Sequence, residues 1–155
     1  MKRLFLSITK GEELRFLGHL DFLRTMERAV MRSEIPVAFS EGFNPHMKLA
    51  LDSALGVGVT ADPLYLEIRL EKDMPVEEVK ERLSRQLPKG IVIHSIVEAA
   101  PEWPKFVAVF NEDSYEMEGP TVEGAGEEAF REAEKSLEAF NAPPLFLYKR
   151  VTPKK

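Results

Sequence analysis

The sequence predicts an α+β domain of ferredoxin-like order, β-α-β-β-α-β, over residues 2–98. The sheet is expected to be antiparallel, with both helices on one face. Three observations carry this expectation. Two segments alternate apolar and polar residues: Leu4, Leu6 and Ile8, then Leu64, Leu66, Ile68 and Leu70. Two others repeat apolar residues at helical spacing: Phe22, Leu23, Met26, Ala29 and Val30, then Val76, Val79, Leu83 and Leu87. Gly, Pro and Asn cluster between these segments and mark the loops.

Taken in order, Lys2–Thr9 reads as the first strand. Lys10-Gly11-Glu12-Glu13 interrupts it, and Leu14–Leu17 reads as a second short strand or a continuation after a turn. The first helix runs from about His19 to Ser33. Gly18 stands at its N-cap, Asp21 suits its first turn, and Pro36 lies past its end. Residues 40–46 form a loop rich in turn residues, and Met47–Leu51 is a strand. Leu64–Leu70 is the third strand of the pattern. Pro75 opens the second helix, Pro88-Lys89-Gly90 closes it, and Ile91–Val97 is the last strand.

A joint with two prolines follows at Ala99–Pro104, so the chain divides into a ferredoxin-like domain over 1–100 and a smaller unit over 101–155. The smaller unit reads as a partial β-α-β: a strand at Phe106–Phe110, a helix at Glu127–Phe140 and a strand at Leu145–Val151. About fifty residues cannot cover both faces of such a unit, so it is expected to dock on the first domain or to be truncated. Lys154 and Lys155 follow the last strand almost directly, which leaves open a chain that continues.

Composition narrows the functions. The 155 residues are 44% hydrophobic and 30% charged, as in an ordinary globular protein. There is no cysteine, which excludes disulfides, thiolate nucleophiles and cysteine-held zinc or iron–sulfur clusters within this chain. No run is long and apolar enough for a membrane helix, and the N-terminal apolar stretch is too short for a signal peptide, so the cytoplasm is the expected compartment. Residues 1–60 hold 8 Lys and Arg against 7 Asp and Glu, and residues 61–155 hold 13 against 19. The net charge of −5 therefore resides in the second part, which excludes a wholly basic nucleic-acid protein and permits a local cationic face.

Two features could carry chemistry. Arg24, Arg28 and Arg32 recur every four residues on one flank of the first helix. Like charges at this spacing repel, so an anionic partner would offset a cost. The plain alternative is a solvated helix face with aliphatic stems over the core edge. The loop Phe43-Asn44-Pro45-His46-Met47-Lys48 gathers an aromatic ring, an amide, an imidazole and an ammonium. Such a group suits base stacking and phosphate binding, and it also suits a simple Asn-Pro turn. Arg15, His19 and Asp21 flank the start of the first helix, whose free N–H groups favour an anion. Arg15, His19, Asp21, Arg24, Arg28, Phe43, Asn44, His46 and Lys48 are thus the candidate binding residues, expected to converge on one surface. The three histidines, His19, His46 and His94, form no metal-binding motif, and neither a dinucleotide fingerprint nor a phosphate loop is present, so no metal or cofactor is expected.

The segments Leu14-Arg15-Phe16-Leu17-Gly18-His19-Leu20-Asp21 and Ile35-Pro36-Val37-Ala38-Phe39-Ser40-Glu41-Gly42-Phe43-Asn44-Pro45-His46-Met47-Lys48, with Glu27-Arg28-Ala29 between them, resemble the radical SAM-linked protein family. This is a bacterial domain of unknown function, found alone or fused behind a radical SAM enzyme. Its members more often carry Ser where Gly18 stands. The resemblance implies a radical SAM enzyme as partner but names no activity. Three functions follow. The first is a non-catalytic recognition module, for RNA, that serves the radical SAM enzyme. The second is a protein–protein docking module that touches no nucleic acid. The third is a metal-free RNA-processing enzyme with His19 or His46 as general base.

Overall fold

The computed structural model describes residues 2–109, together with Arg131 and Lys135, which are both helical. The rest of the helix expected at Glu127–Phe140 and the strand expected at Leu145–Val151 lie outside the described residues. The chain forms two compact units, Met1–Asp113 and Ser114–Lys155.

The first unit is a mixed α+β fold. Strand β1 (Lys2–Lys10) leads through a 3-10 turn (Glu12–Leu14) into helix α1 (His19–Arg32). Strands β2 (Leu49–Leu51) and β3 (Ala61–Leu70), helix α2 (Val76–Ser84) and strand β4 (Ile93–Glu98) follow. The sheet order is β2-β3-β1-β4. Every pairing is antiparallel, with Leu6 opposite Leu66 at the centre of the sheet and Leu6 opposite Ile96 on the other side. The element order matches the β-α-β-β-α-β pattern of the sequence.

The alternation explains the core. Leu4, Leu6 and Ile8 of β1 and Leu66, Ile68 and Leu70 of β3 are completely buried on one face. Phe22, Met26, Ala29 and Val30 of α1, and Val79 and Leu83 of α2, join the same cluster. Helix α1 begins without a side-chain cap at Gly18. It ends where Ser33 turns its hydroxyl onto the carbonyl of Val30 (2.6 Å) and Glu34 adopts a positive φ of 55°. After α2, Gly90 takes φ +93°, and a Cβ there would meet the Glu13 carboxylate at 3.1 Å, so glycine suits this turn twice over.

Among the described residues, two expected strands are absent. Residues 14–17 form a turn, closed by Leu14 N–H to Gly11 O, Arg15 N–H to Glu12 O and Leu17 N–H to Leu14 O. Phe106–Ala108 is a 3-10 turn. Phe106 is buried and packs on Phe5 of β1, ring centroids 5.0 Å apart, while Trp103 lies 5.7 Å from the same ring. The compact unit therefore extends beyond the joint at residues 100–101, because this segment returns to the sheet face opposite the helices.

Candidate functional site

The topology decides which loop meets which end of α1. Strands β1 and β2 both run antiparallel to β3, so α1 must return the chain to the level at which β1 began. The segment leading into β2 consequently lies beside the second half of α1. Its ends are tied by Ser40 N–H to His46 O (2.7 Å), His46 N–H to Ser40 Oγ (2.8 Å) and a bridge between Phe39 and Met47. The β2–β3 connection meets the helix start instead, where Gly58 N–H donates to Arg15 O at 2.7 Å.

Between the second half of α1 and this segment lies a groove of about 460 Å³, lined by Glu27, Arg28, Met31, Arg32, Phe39, Pro45, His46 and Met47. Met47 is rooted in the core, whereas Met31 is 60% exposed and Phe39 44% exposed. Arg28 has no ion-pair partner among the described residues, and Arg32 donates to a carbonyl, that of Gln86, at 2.9 Å. A carbonyl contact leaves the guanidinium charge without a counter-ion. The groove thus has an apolar floor and two cations on its rim.

The candidate residues separate into two groups. Arg28 and His46 share the groove. Phe43 and Asn44 belong to the same loop and are exposed, Phe43 fully so, and Lys48 is half-buried. Arg15, His19 and Asp21 lie at the other end of α1, since nine residues of helix separate His19 from Arg28 by about 13 Å along the axis. There Arg15 pairs with Glu12 at 3.0 Å and stacks on Phe16, and Arg24 pairs with Asp21 at 3.3 Å. His19 is half-buried, and its Nδ1 is sealed from solvent with no hydrogen-bond partner among the described residues. The expected convergence near the helix start therefore does not occur for the Phe43–Lys48 loop, because the parallel relation of β1 and β2 sends that loop to the opposite end.

The open face of the sheet holds two features that sequence reasoning missed. At one end Glu67, buried, accepts from Arg3 Nε (3.0 Å) and Arg69 Nε (2.9 Å), and Arg3 also donates to the carbonyls of Trp103 and Pro104. Residues 99–109 thus form a strap whose Trp103 and Phe106 cover Phe5, which removes that ring from base stacking. At the other end Thr9 Oγ1 and Asp62 Oδ1 lie 2.7 and 2.9 Å from the same His94 Nε2. A nucleophile–base–acid relay needs the hydroxyl and the carboxylate on opposite ring nitrogens, so this cluster is a staple across β1, β3 and β4 rather than a triad. The outward positions Thr9 and His94 were the available signal, and only the strand register joins them to Asp62.

Burial lowers the pKa of Lys10. The carboxylates of Glu98 and Asp73 raise that of Lys2, and Lys2 in turn lowers that of Asp73. Among the described residues no group of three His, Asp or Glu side chains could hold a metal ion, and no helix is long and apolar enough to cross a membrane.

No curated protein matches the chain. The model of one bacterial family matches residues 3–155, nearly the whole sequence. The chain thus belongs to the family described as uncharacterized protein conserved in bacteria (DUF2344).

Proposed function

We propose that this protein is a non-catalytic docking module of the bacterial cytoplasm that serves a radical SAM enzyme, and that the exposed side of α1 is its docking surface. The observation that carries this reading is the composition of that side. Leu20 (63% exposed), Arg24, Arg28 and Met31 follow one another along about 16 Å of helix, Phe39 lines the groove with Met31, and the loop that follows Phe39 carries the fully exposed Phe43. Protein interfaces are enriched in aromatic residues, Met and Arg and depleted in Lys, and no lysine is among the described residues that line the groove. The radical SAM partner is supported by the resemblance of residues 14–48.

One observation favours RNA as the ligand instead. Arg28, without an ion-pair partner among the described residues, lies beside His46, and the fully exposed Phe43 ring is free to stack on a base. The net charge of −5 and the covered Phe5 ring weigh against a long polyanion.

Calorimetry of the protein against a radical SAM enzyme of the same genome tests the docking reading. Met31→Asp should weaken binding by about tenfold or more, a hot-spot effect, whereas Arg85→Ala, on α2's C-cap, should leave it unchanged. Absence of binding, or binding indifferent to Met31→Asp, contradicts the reading.

A further inference from the structure

We infer that the groove between the second half of α1 and residues 39–47 receives an acidic peptide segment of the partner, seated by one large apolar side chain with carboxylates on either side. This rests on the docking reading and specifies the chemistry of what docks.

Charge and floor together select the occupant. Met31, Phe39, Pro45 and Met47 present an apolar floor that water covers poorly. Arg28 and Arg32 stand over it without carboxylate partners among the described residues, against the single carboxylate of Glu27. The groove therefore carries local positive charge on a chain whose overall charge is −5. A free anion would gain nothing from the floor, and a neutral apolar segment would leave two guanidinium groups beside a dry contact without counter-charge. A segment with an aromatic or large aliphatic residue and a neighbouring Asp or Glu satisfies both, and the forked guanidinium can hold a carboxylate by two hydrogen bonds. A volume of about 460 Å³ is that of a small-ligand pocket, which suits one or two side chains and not a whole helix. Phe39 and Met47 are tied across the loop by the Ser40–His46 hydrogen bonds, so the floor exists before the ligand arrives.

Selection from a phage-displayed random dodecapeptide library on the immobilised full-length chain tests this. The expected winners carry an aromatic or aliphatic residue flanked by Asp or Glu. The synthetic winner should bind the Arg28→Glu protein about tenfold more weakly, and a Lys-flanked copy of it should bind that variant better than the wild type. Arg28 is exposed, and circular dichroism of the variant checks that it folds. No enrichment, winners that are neutral or basic, winners retained in full by Arg28→Glu, or displacement of the winner by oligouridylate would each overturn the inference. If the radical SAM enzyme binds and Met31→Asp abolishes that binding while the selection fails, docking stands and the acidic segment falls. If the selection succeeds while the enzyme does not bind, the groove's chemistry stands and the partner is another protein.

Discussion

The ammonium nitrogen of Lys10 lies 2.8 Å from the carbonyl oxygen of Leu17 and is sealed from solvent. Lys10 continues the inward positions of Leu4, Leu6 and Ile8, so the alternation of β1 drives a charge into the core. The Phe22 ring faces the ammonium at 5.7 Å, and the Leu17 carbonyl anchors the turn that enters α1. A buried cation with these partners holds the end of β1 to the start of α1 at an electrostatic cost.

That cost has a direction with pH. Burial lowers the folded pKa of Lys10 below its unfolded value, so between the two the unfolded chain binds more protons. Stability attributable to Lys10 therefore rises as pH climbs from the folded toward the unfolded pKa. Urea unfolding at neutral and alkaline pH should show this rise in the wild type relative to Lys10→Met, in which it is absent. A difference that falls with pH would show that Lys10 is stabilised in its charged form.

Glu67 supports the strap on the open sheet face. Truncation to Ala leaves Arg3 and Arg69 without their shared carboxylate and should cost about 1–3 kcal/mol. Arg69→Ala, at a half-exposed position, should cost less than about 1 kcal/mol. Denaturant titration of the two variants gives the comparison.

The sheet and its helices were legible because their signals are periodic. Leu64, Leu66, Ile68 and Leu70 alternate, and Phe22, Met26, Ala29 and Val30 share one arc, and each pattern admits one buried face. Leu14–Leu17 has no such period: four residues can be satisfied by local hydrogen bonds as well as by a ladder. Phe106 looked like a strand residue because a buried aromatic carries no period of its own. In the candidate site, the Arg28 and Phe43–Lys48 features were visible as residue types. Their placement depended on which end of α1 faces the loop before β2, a property of strand direction rather than of either segment. Thr9, Asp62 and His94 meet only through the register of three strands.

Phe106 is the anchor of the strap. Phe106→Ala should destabilise the first unit by about 3 kcal/mol, through lost burial and the gap left beside Phe5. Limited proteolysis should then cut within residues 99–105 at low protease, where the wild type resists. Unchanged melting and cleavage would mean that the strap contributes no stability.

Under the docking proposal, Arg24 and Arg28 serve binding rather than folding. The Asp21–Arg24 pair is exposed at both ends, so Arg24→Ala with Arg28→Ala should change stability by less than about 0.5 kcal/mol. Thermal melting by circular dichroism checks this. A loss above about 1 kcal/mol would assign the two arginine stems to packing.

Hydrogen–deuterium exchange of the protein, free and bound to a radical SAM enzyme, tests the docking surface most directly. Protection is predicted in α1 and in residues 39–47, with β4 and the strap at 99–109 unchanged. Protection confined to β4 or to the open sheet face, with α1 and residues 39–47 exchanging as in the free protein, would contradict it.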